Sequence, residues 1–156
     1  IPIWSAITKA YSEGRILWVK KIYKYLNLVG ILFVILICIT ILFFKEIVSL
    51  WLGTSIINVE LSTTIIIGLY YMLMIFIYSA NCVANGISKL KPQLIINIFA
   101  AVLKIPLIIV LSKYYDHWNI VIIVNIIIMF PAVIIQPFQN KKELNNKIFE
   151  LNNYGN

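Results

Sequence analysis

The chain has 156 residues, 62% of them hydrophobic and only 12% charged, with a formal net charge of +7. A soluble domain carries about 25% charged residues, so composition argues against a water-soluble globular fold. The positive charge is spread over the connections between apolar runs, which speaks against a nucleic-acid partner, and neither cysteine sits in a CxxC or metal-ligand spacing.

In chain order, Ile1–Ala6 reads as the end of a helix whose start is missing. With no Met at position 1 and no secretory leader, the chain is expected to be the carboxy-terminal part of a larger protein. Residues 7–25 are expected to form one amphipathic helix. At ~100° per residue, Ile7, Tyr11, Gly14, Trp18, Ile22 and Tyr25 share an arc, opposite Lys9, Glu13, Lys20 and Lys24. Such a helix suits the headgroup layer of a membrane. Its cations have two readings: a positive-inside anchor, or Arg15 and some lysines meeting a phosphate-bearing substrate.

Four apolar runs follow, at Leu26–Phe44, Ile65–Ala84, Leu94–Leu111 and Ile120–Ile135. About 20 apolar residues cross roughly 30 Å of hydrocarbon, and only internal backbone bonding is possible there, so each run predicts a spanning helix. Lysine and arginine number five before the first span, then one, two and one in the successive connections, and three in the tail. Short basic connections stay cytoplasmic. The 1–25 segment, the 86–93 loop and the basic 139–156 tail are therefore expected inside, and residues 54–62 outside. The fold class expected is an all-α polytopic transmembrane bundle. It has about four spans within 26–138 plus the amphipathic cytoplasmic helix, as part of a larger two-half transporter.

Few polar residues lie in the spans: Thr40, Ser79, Asn81, Asn97, Lys104 and Asn125, with Asn85 near an end. No carboxylate does, so a buried acidic proton relay cannot be built from this stretch. His117 beside Asp116 has no nucleophile motif near it, and no catalytic residue, cofactor motif or metal set is expected. Lys104 is the costliest residue, at about 2.5–3.5 kcal/mol for a lysine at a helix centre. It either snorkels to the interface or faces a water-filled cavity that holds an anionic substrate. Asn81, Asn97 and Asn125 can bond between helices or bind sugar hydroxyls, and Tyr78 can stack on a sugar ring. Together with Arg15, these are the candidate substrate-binding residues.

Several strings, taken in order, resemble Wzx-type polysaccharide flippases of the multidrug/oligosaccharidyl-lipid/polysaccharide exporter superfamily. They are Pro2-Ile3-Trp4-Ser5-Ala6 with Ala10 and Gly14, Asn85-Gly86-Ile87-Ser88-Lys89 with Gln93, Ile105-Pro106-Leu107, and Ile135-Gln136 before a lysine-rich tail. The resemblance implies the last four of about twelve helices around a central cavity in a bacterial cytoplasmic membrane. It also implies an undecaprenyl-pyrophosphate-linked oligosaccharide as cargo, with membrane lipid and the remaining half of the transporter as partners. Asn85, Gly86 and Gln93 would form a structural inner turn. Lys104 departs from the family pattern, where a neutral polar residue such as asparagine is expected, so no family role passes to it. The competing readings are a drug/cation antiporter of the same superfamily, a membrane acyltransferase or glycan polymerase, a noncatalytic assembly subunit and an inactive transporter fragment.

Overall fold

The computed structural model describes residues 2–53 and 60–154, and every regular element among them is a helix. Six follow in order: α1 Ile3–Ser12, α2 Ile16–Leu42, α3 Phe44–Leu52, α4 Leu61–Gly86, α5 Lys91–Ser112 and α6 Ile120–Tyr154. Helices α2, α4, α5 and α6 are long and apolar enough to cross a membrane. The chain is an all-α helical bundle of membrane-protein character. Of the 54–62 stretch expected outside, residues 54–59 lie beyond the described residues.

The single amphipathic helix expected over 7–25 is corrected to two helices, α1 and the start of α2, separated by Glu13–Arg15. The cause is Gly14, at φ +74°. The Arg15 N–H donates to the Ala10 carbonyl at 2.8 Å and the Gly14 N–H to that of Tyr11 at 3.2 Å. That pair of bonds is a Schellman terminator, with glycine in the left-handed position a helix end favours. The periodicity continues across the break, which is why it suggested one helix.

The tail is also organised. Residues 139–154 continue α6 for about four more turns. Leu144 is fully buried there, with Ile148 packed beside it. The apolar stripe Leu144, Ile148, Leu151 has helical spacing, so this segment carries a core-facing side as well as lysines. Leu144 joins Ile7 and Ala10 of α1, Ile16, Val19 and Tyr23 of α2, and Val83 of α4 in the main core. Burying one such aliphatic side chain contributes about 1.5–3 kcal/mol.

This core sits at one end of the bundle, where α1, the start of α2, the end of α4 and the end of α6 meet. Lys20 Nζ donates to Asn145 Oδ1 at 2.6 Å and Lys89 Nζ lies 3.2 Å from the Glu143 carboxylate, joining α2 and the α4–α5 turn to α6. Ten of the thirteen lysines and arginines lie here, so we call it the basic end.

Helix α4 is central, packing on α1, α2 and α6, whereas α5 packs principally on α6. Along the apolar middle the packing is open. Leu28, Leu32 and Phe33 of α2 and Leu94, Phe99 and Val102 of α5 are exposed, and no residue of α5 is buried. At the far end, Asn119 Nδ2 donates to Thr63 Oγ1 at 2.8 Å in a buried bond, and His117 Nε2 lies 3.7 Å from a Glu60 carboxylate oxygen. These contacts fix the α5–α6 connection to the start of α4.

Candidate functional site

The basic end carries two clefts, one on each side of α6. The first, about 590 Å³, lies between the α4–α5 turn, the first turn of α5 and α6. Its geometry begins with the end of α4. The Lys89 N–H donates to the Ala84 carbonyl at 3.0 Å and the Ser88 N–H to that of Asn85 at 3.2 Å. This is a second Schellman terminator, but its left-handed position is held by Ser88, at φ +58°. Gly86 serves another purpose: it lies so close to α1 that a Cβ there would sit 2.6 Å from Ile7 Cβ and 3.1 Å from the Trp4 carbonyl oxygen. Helix α5 then starts at Lys91 with Pro92 in its first turn, where a missing N–H costs nothing.

The walls of this cleft are amides and cations. Gln136, Gln139, Asn140 and Glu143 recur at helical spacing on α6, and Gln93 faces them from α5. Asn140 Nδ2 is committed to the Ala80 carbonyl at 2.8 Å. Gln136 is only 3% exposed. The Oε1 atoms of Gln93, Gln136 and Gln139 are buried with no hydrogen-bond partner among the described residues. Buried polar atoms are nearly always paired, so three unpaired amide oxygens around one cleft call for a donor. Lys89, Lys91 and Lys142 also line it, with Lys89 held by Glu143. Such a site accepts a ligand that offers hydroxyl donors to the amides and an anion to the lysines.

The second cleft, about 420 Å³, opens between α2 and α6 and is lined by Lys20, Lys24 and Lys141 with Tyr23, Asn27 and Asn145. Asn27 is anchored at its base, accepting from Ser79 Oγ at 3.0 Å.

None of the six candidate substrate-binding residues lines either cleft, although Gln93, Gln136 and Lys89 of the strings line the first and Lys20 and Lys24 of the basic segment line the second. Arg15 stands in the exposed α1–α2 turn, ion-paired with Glu13. Tyr78 is 67% exposed on α4. Asn81 lies on the same helix, its Oδ1 buried without a partner among the described residues. Asn97 and Lys104 are two helical turns apart on one side of α5, Asn97 exposed and Lys104 half-buried. Asn125 is half-buried on α6. No hydrogen bond joins any two of these six among the described residues.

Sequence reading missed Tyr23, Asn27, Gln139 and Asn140, and treated Gln93 and Gln136 only as parts of short strings. The signal was there in the amide stripe Gln136, Gln139, Asn140 at the end of an apolar run. No group of three or more His, Cys, Asp or Glu that could hold a metal ion exists among the described residues. No protein-family model, curated protein or solved structure significantly matches this chain.

Proposed function

We propose that this chain moves lipid-linked oligosaccharide units across a bacterial cytoplasmic membrane by alternating access, with its basic end in the cytoplasm. The observation that carries the reading is the 590 Å³ cleft, with unpaired amide oxygens in its walls and lysines beside them. A glycan linked through pyrophosphate to a polyprenol has the complementary chemistry. Its hydroxyls donate to Gln93, Gln136 and Gln139, and its pyrophosphate meets Lys91 and Lys142. The exposed apolar faces of α2 and α5 suit a lipid tail that stays in the bilayer during transfer. The same faces leave room for the second helical half of a transporter.

In this scheme Arg15 meets the incoming pyrophosphate at the surface. Asn97, Lys104 and Asn125 continue the polar path beyond the cleft, and Asn81 and Tyr78 serve the glycan. A drug/cation antiporter would favour acids at its binding surface. Glu143 is the one carboxylate lining the cleft, and it is already paired with Lys89.

The test is expression of the gene encoding this chain in a cell deleted for its own flippase. Restored surface polysaccharide, lost again in a Gln136→Leu variant of equal abundance, is the expected result. Resistance to cationic drugs without any polysaccharide would replace this reading with the antiporter.

A further inference from the structure

The groove between α2 and α6 differs from the amide cleft in having no carboxylate on its walls. Lys20, Lys24 and Lys141 converge on its 420 Å³. The acids of the basic end are occupied elsewhere: Glu13 pairs with Arg15, Glu143 with Lys89, and Glu150 with Lys147. Three ammonium groups around one small cleft repel each other, and no anion among the described residues offsets that repulsion.

Two further features turn this charge into a site. Lys20 is held by its 2.6 Å bond to Asn145 Oδ1, so it is positioned as well as present. Tyr23 lines the groove and is only 4% exposed, and the side-chain amides beside its buried hydroxyl, Asn27 and Asn140, are also bonded to Ser79 and to the Ala80 carbonyl. A phenol whose amide neighbours are engaged elsewhere keeps its O–H available, and beside three lysines it is a donor for an oxyanion.

We propose that the α2–α6 groove is a phosphate-oxyanion site, with the Tyr23 hydroxyl donating to one oxygen and Lys20, Lys24 and Lys141 neutralising the charge. The group comes from an anionic lipid headgroup or from a soluble phosphate. The surroundings favour the lipid, because the exposed Leu28, Val29 and Leu32 of α2 continue from the groove along the apolar face where acyl chains run. Basic pockets between spanning helices bind acidic lipid headgroups in this way. The inference is independent of what the amide cleft transports.

The test uses the full chain in neutral detergent, with native mass spectrometry of its lipid adducts in an equimolar mixture of phosphatidylglycerol and phosphatidylcholine. The first bound lipid is expected to be anionic by about tenfold. That preference falls to parity in Lys20→Gln/Lys141→Gln and weakens in Tyr23→Phe, which keeps the ring. The control Lys9→Gln/Lys21→Gln removes the same charge from the same end, outside the groove, and keeps the preference. Equal loss in the control, or an unchanged preference in the groove variants, overturns the site in favour of diffuse surface charge. Millimolar inorganic phosphate separates the sources: displacement of the lipid assigns a soluble phosphate, and an unaffected adduct assigns the headgroup.

Discussion

Among single residues, Gly86 and Gly68 look alike in sequence, and only their neighbours separate them. At Gly86 a Cβ meets the Ile7 Cβ and the Trp4 carbonyl, neither of which can move without shifting α1. At Gly68 it meets the terminal methyl of Ile41, which can change rotamer. Gly86→Ala is therefore expected to lose about 1–3 kcal/mol, the usual cost of overpacking, and Gly68→Ala well under that. Unfolding in mixed detergent micelles compares the two. Lys104 was legible as an anomaly because its desolvation cost follows from its position in an apolar run. Its half-burial on α5 was not, since that depends on which face of the helix finds a partner. Lys104→Met is expected to impair glycan export at normal protein level. Unchanged export would mean that the ammonium only snorkels.

For the helices, existence was legible and ends were not. Long apolar runs dictate α2, α4, α5 and α6, because lipid leaves the backbone no other way to pair its polar groups. The ends of α1 and α4 each depend on one residue in a left-handed conformation, and one of them breaks the sequence rule. Gly14 fills that position after α1, but Ser88, rather than Gly86 two residues earlier, fills it after α4. The glycine is reserved for the contact with Ile7, so the serine bears the conformational strain. Ser88→Gly is expected to stabilise the protein by roughly 1 kcal/mol, read from the same micelle unfolding. The extension of α6 was hidden for a different reason. Its lysines dominate the composition of 139–156, while the helical spacing of Leu144 and Ile148 decides the structure.

At the level of the whole molecule, charge and core coincide. The end that gathers the lysines also gathers the buried side chains, and both candidate clefts open there. The alternation of charge along the chain made the shared end legible; the clefts needed the fold, because their walls come from residues up to 125 positions apart, as in Lys20 and Asn145. With Cys38 and Cys82 replaced by alanine, Ser62→Cys is expected to react with an impermeant thiol reagent from outside the cell. Leu90→Cys is expected to react only after permeabilisation. The opposite pattern inverts the orientation.

The bare flanks of α5 have one more consequence. Its partner is chiefly α6, and it contributes no buried residue. The main core shared by α1, α2, α4 and α6 contains no residue of α5, whose Ile96 packs instead on the smaller cluster of Met74, Ile77 and Ala132. Gln93 and Lys91 travel with α5, while Gln136, Gln139 and Lys142 stay on α6. The amide cleft thus has one jamb set in the main core of the fold and the other on a helix that stands outside that core.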